Sequence, residues 1–214
     1  MIQISPSILA GDFASIGEEL KNVKAARADM IHLDIMDGHF VPNIALGVPF
    51  VASIRKSSDI FFDVHLMISE PLRYIDAFAK AGSDLITVHL ECDDDVVECA
   101  KKVKEHGIKF GIAISPDTPA EALIPYGDLA DLILVMTVYP GFGGQKYIAD
   151  MEPKIKKLRE AFPNTDIEVD GGIHAGTISG AAAAGANVFV AGTSVFGAED
   201  YEKAISEMRE LADR

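Results

Sequence analysis

The sequence contains no tryptophan and is short of positive charge. Its 214 residues hold 19 lysines and arginines against 33 aspartates and glutamates, which gives a formal net charge of −14. A chain this acidic is a poor binder of the nucleic-acid backbone, so we exclude a nucleic-acid partner. It can still bind one small phosphate, because backbone N–H groups can do so without a basic surface.

Cysteine is scarce, and a secretory signal is not evident. Only Cys92 and Cys99 occur, without the CxxC spacing of a thiolate metal site. Free thiols fit a reducing compartment, and the first residues lack a basic region followed by an apolar core. We therefore expect a cytoplasmic protein.

Long hydrophobic segments are also lacking, with one apparent exception. Residues 179–198 carry no charge and have about the length of a membrane span. Small residues dominate this stretch, and Gly185 and Gly192 divide it into a helix end, a short strand and a turn. We therefore predict no membrane partner.

Eight short apolar segments, rich in Ile, Val and Leu, alternate with helical patterns. The predicted strands are residues 2–9, 30–36, 60–67, 85–89, 109–114, 132–137, 167–169 and 188–190. The predicted helices are residues 15–26, 71–81, 94–106, 153–161, 177–184 and 201–212. Strands with little polar alternation are typical of a parallel sheet covered on both faces.

This alternation predicts one (β/α)₈ TIM barrel over residues 1–214, near the lower size limit of that fold. The alternative is a doubly wound sheet. It would normally carry a GxGxxG turn after the first strand, and residues 5–11 (SPSILAG) contain none.

Four candidate metal ligands interrupt or end these strands. His32 and Asp34 are two residues apart, so their side chains point to the same side of the sheet. His65 lies near the end of the third strand and Asp170 follows the seventh. Each residue alone could be structural, but together they suit one divalent ion such as Zn²⁺, Fe²⁺, Mn²⁺ or Co²⁺.

Three glycine-rich stretches follow the last three strands. They are residues 140–145 (PGFGGQ), 170–173 (DGGI) and 191–194 (AGTS). Plain turns explain most such stretches, but the last loops of a barrel often bind phosphate. Met36, Met67 and Met136 also lie at strand ends, where they are either core residues or an apolar floor beside a reacting group.

Several long motifs resemble the ribulose-phosphate 3-epimerase family. In chain order they are SPSIL (5–9), HLDIMDGHFVPN (32–43), DVHLM (63–67), PGFGGQ (140–145), VDGG (169–172) and AGTS (191–194). They span nearly the whole chain, and they are far more specific than a single glycine fingerprint.

The resemblance implies a barrel of the ribulose-phosphate-binding type that epimerises a ketose phosphate at C3. It implies one divalent metal held by His32, Asp34, His65 and Asp170, with Asp34 and Asp170 as the acid–base pair on opposite faces of the substrate. The implied substrate-binding residues are Ser7, His65, Gly141, Phe142, Gly143, Gly144, Asp170, Gly171, Gly172, Gly192 and Thr193. The loop after the sixth strand would close over the ligand, and such barrels usually form homo-oligomers.

The identity of the sugar stays open at this point. Tyr139 and Ser115 stand where the family usually has Asn, and Thr137 and Thr193 stand where Ser is usual. The runs MTV (136–138) and GTS (192–194) resemble the allulose-6-phosphate 3-epimerases. The expected substrate pair is D-ribulose 5-phosphate and D-xylulose 5-phosphate, and the alternative is D-allulose 6-phosphate and D-fructose 6-phosphate.

Two other functions are weighed against epimerisation. Related barrel decarboxylases use Asp-x-Lys-x-x-Asp on a strand, whereas residues 32–37 read HLDIMD, without lysine. A Schiff-base mechanism also lacks its nucleophile, because no lysine lies at the carboxyl end of a predicted strand. A non-catalytic sugar-phosphate binder would need the glycine loops but not two opposed carboxylates.

Overall fold

Eight parallel strands form a closed ring in the computed structural model, which describes residues 1–214. The ring consists of β1 (Gln3–Pro6), β2 (Met30–Asp37), β4 (Phe61–Met67), β5 (Leu85–His89), β6 (Lys109–Ile114), β7 (Leu132–Met136), β8 (Asp166–Asp170) and β9 (Val188–Ala191). β1 pairs with β9, and a parallel bridge between Ser7 and His32 joins β1 to β2 and closes the ring. A short strand β3 (Ile44–Ala45) pairs antiparallel with the end of β2. The predicted (β/α)₈ barrel is confirmed.

Helices cover the outside of this ring. They are α1 (Ile16–Ala25), α2 (Val48–Arg55), α3 (Ile75–Ala81), α4 (Val96–Glu105), α5 (Ala120–Leu123), α6 (Glu152–Ala161), α7 (Ile178–Ala184), α8 (Thr193–Phe196) and α9 (Tyr201–Ala212). Two of them end where Gly82 and Gly185 adopt the left-handed conformation, and the carboxylates of Asp95 and Asp200 cap two others. None of the helices has the length and apolar character needed to cross a bilayer.

Two predicted boundaries differ from the structure by more than two residues. The first strand ends at Pro6 because Ile8–Ala10 form a 3-10 turn. Pro71–Arg73 are also a 3-10 turn, and the helix begins at Ile75. The sequence patterns gave no prediction for α2 or α5, which are short and lie in connections between strands.

The amino ends of the strands are joined in pairs by one repeated contact. The residue just before β2, β5, β7 or β9 accepts a hydrogen bond through its side chain from a backbone N–H of the preceding barrel strand. Its own N–H donates back to the carbonyl of that same residue. The four pairs are Asp29 with Ile4, Asp84 with Phe62, Asp131 with Phe110, and Asn187 with Ile167, with side-chain contacts of 2.8, 2.7, 2.9 and 2.8 Å. This face is therefore built for stability and leaves the carboxyl ends free for function.

Candidate active site

The register of β2 and β4 brings three of the four candidate metal ligands together. His32 and Asp34 point into the barrel from β2, and Asp34 lies directly beside His65 on β4. Asp170 is the last residue of β8, across the ring. His32 and His65 are fully buried, and the carboxyl groups of Asp34 and Asp170 lie at the bottom of the barrel mouth.

One nitrogen or oxygen from each of these four residues faces the same small space. Nε2 of His32 and Nδ1 of His65 are 3.3 Å apart, and each lies 3.2 Å from Oδ1 of Asp34. Oδ2 of Asp170 lies 3.9 Å from the first nitrogen and 4.0 Å from the second. The four ligand atoms all lie within 4.8 Å of one another.

This spacing fits a divalent metal ion. Ligand bonds of about 2.0–2.2 Å in tetrahedral geometry place neighbouring ligand atoms roughly 3.3–3.6 Å apart, close to the observed separations. The opposite nitrogen of each imidazole is already engaged, by Asp63 Oδ2 at 2.5 Å from His32 and by His89 at 2.8 Å from His65. Two imidazoles and two carboxylates converging in this way suit a cation.

The two candidate catalytic carboxyl groups, Asp34 and Asp170, have pKa values that are shifted in opposite directions. Burial raises the pKa of Asp170 to about 7, and the neighbouring charge of Asp34 adds to this shift. Burial alone would also raise the pKa of Asp34. The charges and hydrogen bonds of His32 and His65 outweigh it and hold that pKa well below its usual range. Two nearby carboxyl groups with separated pKa values are the usual arrangement for an acid–base pair.

The two histidines shift in opposite directions. Burial lowers the pKa of His65 to about 4, although the neighbouring carboxylate of Asp34 opposes the shift. Burial also disfavours the charged form of His32, but Asp63 and Asp34 outweigh it and raise the pKa of His32 well above its ordinary value. Asp34 also accepts a hydrogen bond of 2.7 Å from the hydroxyl of Ser7, which links β1 to the site.

A cavity of about 540 Å³ opens above this cluster. Its wall contains most of the residues that the sequence singled out: Ser7, Asp34, Met36, Met67, Met136, Gly141, Phe142, Gly143, Gly144, Asp170, Gly171, Gly172, Gly192 and Thr193. The structure does not place His32 or His65 in the wall. His65, expected from the resemblance to touch substrate as well, lies beneath the floor, so it reaches the cavity only through the groups above it.

The glycine loops supply backbone donors rather than charge. Gly171 and Gly172 have φ values of +122° and +65°, and a side chain at either position would collide with Val138 or with the backbone of Tyr147. The N–H groups of Gly143, Gly144, Gly171 and Gly172 donate to no acceptor in the chain. No lysine or arginine lines the cavity, so a phosphate there would be bound through such groups.

Some residues of the site were not assigned to it from the sequence. Asn43, Gln145, His174 and Ser194 also line the cavity, and His89 and Asp63 contact the buried histidines from below. A period of two from His65 places Asp63 on the inner face of β4, a signal that could have identified it. Nothing in the sequence placed His89 beside His65, because that contact depends on the register between β4 and β5.

Comparison with known proteins identifies the relatives of this chain. The sequence model of the ribulose-phosphate 3 epimerase family matches residues 3–196. Ribulose-phosphate 3-epimerase from Bacillus subtilis is 48% identical over 214 residues, covering 98% of this chain and 99% of the relative. The cytoplasmic isoform of ribulose-phosphate 3-epimerase from Oryza sativa is 43% identical, covering 99% of this chain and 94% of the relative.

Solved structures of more distantly similar proteins share the fold. The 3-keto-L-gulonate-6-phosphate decarboxylase from Vibrio cholerae has a TM-score of 0.74 at 17% identity, covering 100% of this chain and 98% of that one. Orotidine 5'-phosphate decarboxylase from Pyrococcus horikoshii has a TM-score of 0.72 at 14% identity, covering 99% of this chain and 100% of that one. At such identity the likeness supports the barrel only, but the family match and the close relatives are decisive. The chain belongs to the ribulose-phosphate 3-epimerase family.

Proposed function

We propose that this protein is a metal-dependent 3-epimerase that interconverts D-ribulose 5-phosphate and D-xylulose 5-phosphate. The observation that carries the proposal is the pair Asp34 and Asp170. Their carboxyl groups lie within one ligand cluster at the floor of the cavity and have pKa values shifted in opposite directions. The curated relatives at 43–50% identity carry the name of this activity.

Inversion at a carbon beside a ketone needs two proton transfers on opposite faces. One carboxylate removes the C3 proton, and the other carboxylic acid returns a proton from the other side of the resulting enediolate. Asp34 extends from β2 and Asp170 from β8, across the ring, and this separation supports their assignment to opposite faces of the substrate. The hydroxyl of Ser7 holds the Asp34 carboxylate in place and is close enough to the cavity to contact the sugar.

Binding of the substrate is assigned to the rest of the cavity wall. The phosphate would accept hydrogen bonds from the N–H groups of the glycine loops, which have no other acceptor. Met36, Met67 and Met136 line the cavity, and we assign to them the apolar floor beside the reacting carbons. The half-exposed Phe142 lies in the loop after β7, and we assign to this loop the closure that excludes water.

His32, Asp34, His65 and Asp170 would hold the divalent ion. When bound, that ion supplies Lewis-acid stabilisation of the negative charge that develops on the substrate oxygens. A reducing compartment such as the cytoplasm fits the two free cysteines, Cys92 and Cys99. We further propose a homo-oligomer, to be tested by its mass in solution.

The test is turnover of the metal-supplemented protein on D-ribulose 5-phosphate and, in parallel, on D-allulose 6-phosphate. We expect preference for the pentose phosphate and incorporation of solvent deuterium at C3 during the reaction. Asp34→Asn and Asp170→Asn should each lower kcat by about 10²–10⁴-fold, the usual contribution of a general acid or base.

The exposed Asp150→Asn variant is the matched control and should retain full activity. Full turnover in either cluster variant would refute the two-base mechanism. Preference for the hexose phosphate would refute the assigned substrate while leaving the reaction class. Tight sugar-phosphate binding without turnover would instead indicate a binding barrel.

A further inference from the structure

His89 is a buried titratable residue that the proposed reaction does not use. It ends β5, is fully buried and does not line the cavity. Its ring lies between two others, with centroids 4.8 Å from Phe40 and 5.0 Å from His65. A polar ring enclosed in this way needs hydrogen-bond partners for both of its nitrogens, and the chain provides them.

The outer partner of His89 is the carboxylate of Glu91. Nδ1 of His89 lies 3.1 Å from Oε2 of Glu91. The other oxygen of Glu91 accepts the backbone N–H of Ser115 at 2.8 Å and the hydroxyl of Thr118. These contacts fix the carboxylate on the loop after β6. An ionised carboxylate only accepts hydrogen bonds, so Nδ1 of His89 must carry a proton.

The inner partner of His89 is His65. Which of the two rings donates this hydrogen bond follows from the contact between His89 and Glu91. With Nδ1 protonated, a His89 ring that carries no second proton has its lone pair on Nε2, which lies 2.8 Å from Nε2 of His65. Two nitrogens at this distance share one proton, which must then come from His65. The remaining nitrogen of His65, Nδ1, faces Asp34, Asp170 and His32 and is the atom available to bind a metal ion.

We propose that His89 and Glu91 are positioning residues that fix the ring orientation and tautomer of His65, so that its Nδ1 is presented as a metal ligand. This inference rests on the metal site of the proposed function. The hydrogen-bond chain runs from Glu91 through His89 to His65 and ties the site to the loop after β6. Outer partners of ligating histidines commonly set the tautomer and raise metal affinity.

The second ligating histidine has a shorter version of the same support. Nδ1 of His32 contacts Oδ2 of Asp63 directly, at 2.5 Å, and presents Nε2 to the cluster. The two imidazoles therefore use opposite nitrogens for the site, and each is oriented from below by a carboxylate. For His65 the carboxylate acts through one intervening ring, so His89 is the residue whose replacement isolates the effect.

The test uses two substitutions of His89 in the full-length chain. His89→Phe keeps an aromatic ring between Phe40 and His65 but offers no acceptor, whereas His89→Gln retains an acceptor in its side-chain carbonyl. His106→Phe, which removes a surface histidine paired with Asp76, is the control. The readouts are Zn²⁺ and Mn²⁺ affinity by chelator competition, imidazole ¹⁵N spectra of the Zn²⁺-bound protein, and the melting temperature.

We expect His89→Phe to weaken metal binding by about 10–100-fold, and His89→Gln to recover most of that loss. In the Zn²⁺-bound wild type, the spectrum should show His65 protonated on Nε2 and ligated through Nδ1, and the Phe variant should show more than one state of the His65 ring. Metal affinity in His89→Phe within about twofold of wild type would overturn the inference.

A Zn²⁺-bound wild type in which His65 is protonated on Nδ1 would also overturn it, whether or not the variants fold. Equal losses of affinity in the Phe and Gln variants would assign His89 a packing role and overturn it as well. If the wild-type protein binds neither ion, the metal site of the proposed function is wrong. If the wild type binds and the variants match it, only the role of His89 is wrong.

Discussion

Single carboxylates decide how the site responds to acid, and Glu91 is the clearest case outside the ligand cluster. Burial alone would raise the pKa of its carboxyl group. The hydrogen bond and charge of His89, together with Thr118 and the N–H of Ser115, outweigh burial and lower that pKa to about 2. A carboxylate whose pKa is depressed by folding stabilises the native state above its unfolded pKa of about 4.5. That stabilisation is lost as the pH falls through the folded value.

We therefore expect Glu91→Gln to be less stable than the parent at pH 7, by no more than about 2–3 kcal/mol, since solvent screens the quarter of the side chain that is exposed. The difference should shrink between about pH 4.5 and pH 2. Urea unfolding of both proteins across this range is the measurement. A difference in unfolding free energy that stays constant down to pH 2 would show that the Glu91 charge contributes nothing.

At the residue scale, the sequence predicted the ligand cluster better than its support. His32, Asp34 and His65 stand out because polar groups in an apolar strand are costly unless they are used. Glu168 escaped prediction although it is fully buried next to His32, and its spacing of two from Asp170 is a signal that could have identified it, as for Asp63. Contacts such as His65 with His89 depend on how neighbouring strands align, which no local pattern contains.

At the scale of elements, the loop after β2 is organised by one carboxylate. Asp37 accepts three backbone N–H groups at 2.8 Å each: His39 and Phe40 on one oxygen, and Ser69 of the loop after β4 on the other. Burial opposes ionisation of Asp37, but these three donors outweigh it and lower its pKa. The same loop reaches the glycine loop through Asn43, whose amide donates to the carbonyl of Gly141 at 2.8 Å.

We expect Asp37→Asn to cost about 1–2 kcal/mol of unfolding free energy, because an amide nitrogen cannot accept the N–H of Ser69. The loss should raise KM more than it lowers kcat, since the loop contacts the substrate-binding loop and not the reacting atoms. Steady-state kinetics and urea unfolding test this. A kcat loss with unchanged KM would place Asp37 in the chemistry instead.

Elements were predictable to the extent that their burial pattern was simple. The eight barrel strands are buried on both faces, rich in apolar residues, and were all predicted, because helices and barrel interior both exclude water from them. Helix α2 was missed because Val48, Phe50 and Val51 give it no clear polar face at its start, and it is only eight residues long. The start of α3 was misplaced because Pro71 suits a 3-10 turn as well as the first turn of an α-helix.

For the whole molecule, closure of the ring predicts cooperative behaviour. β1, at the start of the chain, pairs with β9, near its end, and a continuous core of buried side chains lies between the ring and the helices. Four reciprocal contacts at the amino ends join β1 to β2, β4 to β5, β6 to β7 and β8 to β9. No group of strands can separate from the barrel without breaking the hydrogen bonds to the neighbouring strand on each side. We therefore expect residues 1–214 to unfold as one domain.

Asp131 provides the cleanest test of this whole-molecule behaviour. It accepts the N–H of Phe110 and pairs with no cation, unlike Asp29 and Asp84, which also contact arginines. At the equivalent place near β9 the chain uses an amide, Asn187, so Asp131→Asn should leave stability within about 0.5 kcal/mol of the parent. Asp131→Leu leaves the buried N–H of Phe110 without its acceptor and should cost about 1–3 kcal/mol of unfolding free energy.

The chain has no tryptophan, so tyrosine fluorescence and far-UV circular dichroism are the two probes of unfolding. Both should report a single transition that shifts as a whole in the Leu variant. Two separated transitions would mean that part of the barrel unfolds independently of the rest.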